Sequence, residues 1–203
     1  YLRLYTINDD KFNFLEILIV QPNINPNEKW NRDKKEKIFD DLIHLSKKNI
    51  KNSTDMIIWP EVATPYYIFK NHSKLKRIKT NLIDQKRTLL TGSLDWEKNN
   101  NSFKNYNSIG LINNSTNITK YNKMKLVPFG EYIPFSIPFL ENLNLGQYSN
   151  GKKVSYFKIN NFNFITKICF ESIYPIILRN SIDYNSIPNP NFLVIVVNDG
   201  WFG

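Results

Sequence analysis

A chain of 203 residues, 41% hydrophobic and 22% charged, is long enough for one domain with its own core. No run approaches the ~18 consecutive apolar residues of a membrane span, one cysteine excludes an intrachain disulfide, and His44 and His72 lack metal-ligand spacing, so neither zinc nor any other cofactor is expected. The net charge of +9 would suit nucleic acid or an anionic membrane, but the lysines are scattered, with concentrations only at Lys34–Lys37 and Lys74–Lys79; most of that charge reads as solvated helical surface, and no nucleic-acid partner is expected.

Residues 1–12 read as a linker and residues 13–203 as one domain. Phe14 to Val20 is an apolar run stopped by Gln21-Pro22, a first strand. The stretch Glu28 to Lys48 has helical spacing, with Ile38, Leu42 and Leu45 on one face. Asp55 to Trp59 is a buried strand cut by Pro60, and a basic helix spans about Tyr67 to Ile83 with Leu75, Ile78 and Leu82 inward. Thr88 to Leu94 reads as a strand and the polar segment Asp95 to Asn105 as a loop. Two hairpins follow, one around Asn113-Asn114-Ser115 and one around Asn160-Asn161. A helix from Glu171 to Arg179 and a last strand from Phe192 to Val197 complete the pattern. Early alternation of strands and helices with hairpins in the middle predicts an α/β fold with a partly antiparallel sheet. The chain starts at Tyr1 and stops at Gly203 just beyond a strand and turn, which reads as a fragment.

Three patches end apolar runs in reactive side chains. They are Trp59-Pro60-Glu61, Tyr121-Asn122-Lys123 leading into Leu126-Val127-Pro128-Phe129-Gly130-Glu131, and Ile168-Cys169-Phe170-Glu171. Cys169 sits where a strand meets a helix, an elbow that lifts a nucleophile out of a sheet beside backbone N–H groups; a small buried core thiol is the commoner occupant of such a place. A carboxylate leaving a buried strand suits a base role for Glu61, and a helix N-terminal acid is the plain alternative. Lys123 could neutralise an oxyanion or simply be solvated at a strand end. The tract Gly146 to Lys153 approaches a phosphate-binding loop, but Lys153 stands where Ser or Thr is needed and a strand follows, so that reading is rejected.

Together these residues resemble the nitrilase, or carbon–nitrogen hydrolase, superfamily, whose catalytic set is Glu, Lys and Cys in that chain order. The phrases Leu126 to Pro134 (LVPFGEYIP) and Asn198 to Gly203 (NDGWFG), with Gln21-Pro22-Asn23-Ile24 and the nearby Trp30, are similar to the apolipoprotein N-acyltransferase branch of that superfamily. Two departures stand out: Phe170 occupies a position that is often Tyr, and the branch's membrane helices and the last part of its domain are absent from this chain.

The resemblance implies a layered α-β-β-α sandwich, incomplete at its C-terminal end, and acyl transfer through a cysteine thioester. Cys169 would be the nucleophile, Glu61 the base, Lys123 the oxyanion partner that also lowers the thiol pKa, and Glu131 the group that holds the amine in place. Phe170, Glu171 and Trp30 would line the substrate pocket. The implied partners are a phospholipid donor, an apolipoprotein acceptor and the bacterial inner membrane, with the domain facing the periplasm. The apolar loop Leu126 to Leu145, including Phe135, Ile137 and Phe139, is expected to dip toward the bilayer, and the basic helix around Lys74–Lys79 to rest on head groups. A soluble nitrilase-type amidase and a non-catalytic α/β binding module are the alternatives.

Overall fold

A computed structural model of the chain describes residues 14–99, 102–133, 148–174 and 190–198. Strand β1 (Glu16–Ile19) leads to a one-turn helix α1 (Pro26–Lys29), a 3-10 turn (Arg32–Lys34) and the long helix α2 (Lys35–Asn49). The order continues with β2 (Thr54–Ile58), a 3-10 turn (Ile68–Lys70), α3 (His72–Leu82), β3 (Thr88–Asn99), β4 (Ser102–Ile112) and β5 (Thr119–Asn122). Strands β6 (Tyr156–Ile159) and β7 (Phe162–Ile168), a 3-10 helix (Cys169–Ile173) and β8 (Phe192–Val196) follow.

The first five strands form one sheet in chain order, with β1, β2 and β3 parallel and β4 and β5 antiparallel to their predecessors. The last three form a second sheet in which β6–β7 is an antiparallel hairpin and β8 lies parallel to β7. Alternate residues of β2 face opposite ways, as the two-residue period of a strand requires. Ile57, with Trp59 just beyond the strand, joins Phe39, Leu42 and Ile78 in a helix–sheet core. Met56 and Ile58 join Ile109, Leu111, Phe157, Phe164 and Val194 in a core between the two sheets. Stacked rings of Phe157, Phe164 and Phe192, with centroids 5.3 and 4.9 Å apart, bind the small sheet internally. The described residues thus form three layers of the expected α/β sandwich: helices, sheet, sheet. The expected outer helical layer, the expected linker at 1–12, residues 175–179 of the expected Glu171–Arg179 helix and the apolar segment 134–145 lie outside them; where that helix is expected to begin, the chain forms a 3-10 helix that ends at Ile173, and Tyr174 is no longer helical.

Several local expectations change. The helix expected from Glu28 is broken: Asn25 caps α1 and Asn31 caps the next turn, each accepting a backbone N–H two residues on. The buried face of α2 centres on Phe39, Leu42, Ile43 and Ser46, one residue removed from the Ile38/Leu45 phase. The segment Asp95 to Asn105 is a strand pair rather than a loop, in register from Asp95↔Tyr106 to Asn99↔Ser102. Its Asn-rich composition hides an alternation that brings Trp96 and Phe103 edge-on at 5.5 Å. The basic face of α3 does not look outward as a free surface. Lys74 is buried and bonded to Glu36, while Arg77 bonds Asp40, so α2 absorbs much of that charge.

Candidate active site

Glu61 reaches the interior because two chain segments pass unusually close. Trp59 is buried and its indole N–H donates to Ser46 Oγ at 2.8 Å, and Pro60, with no N–H of its own to donate, still accepts the Gly92 N–H at its carbonyl at 3.2 Å. The following turn crosses β3 at Gly92, where a Cβ would lie 2.6 Å from the Pro60 carbonyl oxygen and 2.7 Å from Glu61 Cα. Only glycine permits that approach. Val62 takes the left-handed region at φ 43°, a strained choice for a β-branched residue that aims its neighbour inward. Glu61 is left 6% exposed.

Lys123 follows the last residue of β5 and is 1% exposed. Its backbone N–H donates to the Asn107 carbonyl at 2.8 Å, extending the sheet by one bond. Its amine lies 2.9 and 3.0 Å from the two oxygens of Glu131 and 3.4 Å from Glu61 Oε1. Asn107 completes the cluster, its Nδ2 donating to Glu61 Oε1 at 2.7 Å and to Glu131 Oε1 at 2.8 Å. The other oxygens are held by backbone: Asn198 N–H donates to Glu61 Oε2 at 3.1 Å, and Val127 N–H to Glu131 Oε2 at 2.9 Å. Glu131 is placed by a turn in which Phe129 is left-handed at φ 61°. Burial alone would depress the Lys123 pKa, but Glu61 and Glu131 outweigh it and hold the amine charged above its ordinary value.

Cys169 stands at the junction of β7 and the 3-10 helix with φ 49°, the left-handed conformation of a strained elbow. Its thiol feels Glu61, Lys123 and Glu131, and the Phe170 N–H bonds to it. The thiol pKa is nonetheless raised, by burial first and by Glu61 second; Lys123 and the Phe170 N–H pull the other way without prevailing. The expected lowering by Lys123 is therefore present but overridden. A half-buried thiol facing a carboxylate keeps its proton until a base removes it.

Glu171, expected in the substrate pocket, is fully buried and does something else. Its Oε1 accepts from Tyr121 Oη at 2.7 Å, Met124 N at 2.5 Å and Lys125 N at 3.0 Å, while Oε2 accepts from Ile168 N at 2.9 Å. One carboxylate thus ties the backbone just after Lys123 to the backbone just before Cys169. Phe170 is half-buried and packs edge-on against Tyr174 at 5.3 Å. Trp30 is 50% exposed at the end of α1 and is not among the residues lining the large cleft beside Glu61. That cleft, about 840 Å3, runs between β1 and β8, with Lys29 in its wall. Lys29 is 6% exposed and burial lowers its pKa to about 8, with Glu61 partly restoring it. Among the described residues no group of three His, Cys, Asp or Glu side chains could hold a metal ion.

The sequence reading did not single out Asn107, Gly92 or Lys29. Asn107 had one usable signal, its place two residues before Ile109 on the inward face of β4. Lys29 had none.

The family model for carbon–nitrogen hydrolases matches residues 18–185. The chain belongs to the carbon–nitrogen hydrolase family. It is 33% identical over 192 residues to the apolipoprotein N-acyltransferase of Aquifex aeolicus, covering 93% of this chain and 41% of that protein. It is 30% identical over 194 residues to the enzyme of the same name from Geobacter metallireducens, covering 93% and 36%. The chain therefore spans about two-fifths of the length of these relatives. Among solved structures, an amidase from Nesterenkonia sp. AN1, which carries acrylamide added at its active-site cysteine, superimposes with a TM-score of 0.60 over 91% of this chain and 67% of its own, at 10% identity. A glutamine-dependent NAD+ synthetase from Acinetobacter baumannii gives a TM-score of 0.57 at 13% identity, covering 80% of this chain and 29% of its own. At such identities these two establish the nitrilase-like fold alone.

Proposed function

We propose that this chain carries the catalytic site of an N-acyltransferase that moves an acyl chain from a phospholipid, through a thioester on Cys169, to the N-terminal amine of an S-diacylglyceryl-cysteine lipoprotein. The observation that carries this reading is the left-handed elbow at Cys169, its thiol within the field of a buried Glu61–Lys123–Glu131 cluster. The names of the relatives supply the substrate class. Glu61 accepts the thiol proton as Sγ attacks the ester carbonyl. The tetrahedral oxyanion is met by the Lys123 ammonium and the Phe170 N–H. Collapse forms the thioester, and the departing lysophospholipid alkoxide takes the proton back from Glu61. The neutral amine of the acceptor then attacks the thioester and passes a proton to Glu61, which returns it to the leaving thiolate. Glu131 and Asn107 keep Lys123 and Glu61 in register throughout, and no cofactor takes part.

No helix among the described residues is long and apolar enough to cross a membrane. The placement that goes with this function is the bacterial inner membrane, reached through segments outside this chain, with the catalytic domain in the periplasm. The test supplies a phospholipid labelled in one acyl chain and a synthetic S-diacylglyceryl-cysteine peptide. Label should pass to the peptide amine and stay absent with Cys169→Ala. Release of ammonia from small amides, with no label on peptide, would replace this reading by that of a hydrolytic amidase.

A further inference from the structure

One charged side chain of the large cleft takes no part in the acyl-transfer scheme. Among the described residues lining the cleft between β1 and β8, Lys29 is the one base and Glu61 the one acid; the other side chains are amides and apolar groups. Both charged groups are buried, and among the described residues Lys29 makes no ion pair and no side-chain hydrogen bond. A buried ammonium is costly unless a carboxylate answers it. Among the described residues Glu61 is the one charge to which Lys29 responds. The local backbone places Lys29 there. Asn23 takes the left-handed region at φ 51°, and Asn25 Oδ1 then caps α1 by accepting the Asn27 N–H at 2.9 Å. The Lys29 N–H closes the turn on the Asn25 carbonyl at 3.1 Å, and the helix stops at once, so that Lys29 lines the cleft while Trp30 stays half exposed.

Glu61 has use for a second cation. The Lys123 amine lies 2.9 and 3.0 Å from the oxygens of Glu131 but 3.4 Å from Glu61, so Glu131 has the closer hold on the shared ammonium. The other partners of Glu61, the Asn107 amide and the Asn198 N–H, are neutral. Two buried carboxylates with one ammonium leave a net negative charge, and Lys29 brings the sum to zero. Cys169 and Tyr148 also sense Glu61 but add no charge at neutral pH. Burial, and Glu61 after it, pushes the thiol up; burial first, then Tyr67, Glu131 and Glu61, pushes the Tyr148 phenol up to about 12.

We propose that Lys29 is a positioning residue of the acyl-transfer site: its ammonium, held in the cleft wall, supplies the second countercharge with which Glu61 stands as a carboxylate ready to take the Cys169 proton. The proposal rests on the base role of Glu61. Its test follows the rate of Cys169 acylation by a short activated ester from about pH 5 to about pH 9, where the acid limb reports the base. In Lys29→Met that limb should move up by about one pH unit, the lower end of what an adjacent opposite charge produces, with the rate on it about tenfold lower. Burial lowers the Lys29 pKa to about 8. Above that pH the wild type has itself given up the charge, and the gap between the two should narrow to about threefold or less. Lys29→Arg, which keeps the charge, should return the limb to within about 0.3 pH unit of wild type. A loss of rate equal at every pH, a limb unmoved in Lys29→Met, or the same shift in Lys29→Arg would each overturn the proposal. Glu61→Gln separates the two claims. Loss of acylation in that variant with an unmoved limb in Lys29→Met removes Lys29 alone. Undiminished acylation in Glu61→Gln removes the base role and this proposal with it.

Discussion

Replacing Glu171 by Gln separates a structural carboxylate from a pocket-lining one. The side chain accepts four hydrogen bonds, three at Oε1 and one at Oε2. The best orientation of a glutamine leaves its carbonyl oxygen on Tyr121, Met124 and Lys125 and turns its NH2 toward the Ile168 N–H. One charge-assisted bond, worth about 1.5–3 kcal/mol, is lost, and two buried donors face each other at a further 1–3 kcal/mol. Lys167, fully buried with its pKa lowered by burial and supported by Glu171, also loses its countercharge. The sum is about 4 kcal/mol, a large part of the roughly 5–15 kcal/mol that holds a domain folded. Glu171→Ala orphans all four donors and should abolish folding near room temperature. Urea titration followed by tryptophan fluorescence reads the difference, and Cys169 alkylation in the surviving folded fraction reports whether the elbow has moved. If Glu171→Gln unfolds within 1 kcal/mol of wild type and alters only substrate affinity, the clamp between the Lys123 and Cys169 segments is refuted.

Gly92→Ala puts a Cβ against backbone on three sides and should cost about 3 kcal/mol, with loss of Cys169 acylation because Glu61 is displaced; a melting temperature equal to wild type would contradict the close passage. Lys29 is held at about 8 against an ordinary 10.5, so its burial opposes folding below pH 8, and stability is regained as pH rises from 8 toward 10.5. The stability of wild type minus that of Lys29→Met should therefore increase by about 3 kcal/mol over that window, and a flat or falling difference in paired denaturation curves would refute it. The thiol of Cys169 is held above its ordinary value by burial and then by Glu61. Glu61→Gln should accordingly lower the pH midpoint of iodoacetamide alkylation while suppressing acylation by esters. Both moving in the same direction would argue against a base role for Glu61.

The parts of the site legible in the sequence were those marked by abrupt changes of polarity. Glu61, Lys123 and Cys169 each end an apolar run, and the structure brings Glu61, Lys123 and Glu131 into contact with Cys169 inside their field. Asn107 was hidden because asparagine is abundant in this chain, so one more in a strand carries no contrast. Gly92 acts through a contact with a segment about thirty residues away in sequence, which no local pattern reveals. The two hairpins followed from alternation and turn residues, with Asn160 at φ 49° in the β6–β7 turn, whereas the order of strands within each sheet came only from the structure. The outer hairpin arm was misread because exposed strands of Asn, Lys and Glu have the composition of loops, and only cross-strand pairing distinguishes them. The phase of α2 was set by Phe39 packing edge-on to Tyr66 at 6.0 Å, a tertiary choice among several apolar stripes.

If Glu61 and Lys123 act on Cys169 to form a thioester, intact-mass analysis and peptide mapping after exposure to a short activated ester should find a single acyl adduct on Cys169 and none in Cys169→Ala. Its formation should be slowed about a hundred-fold or more in Lys123→Met, in line with the loss of one oxyanion donor. An adduct on another residue, or an undiminished rate in Lys123→Met, would contradict it.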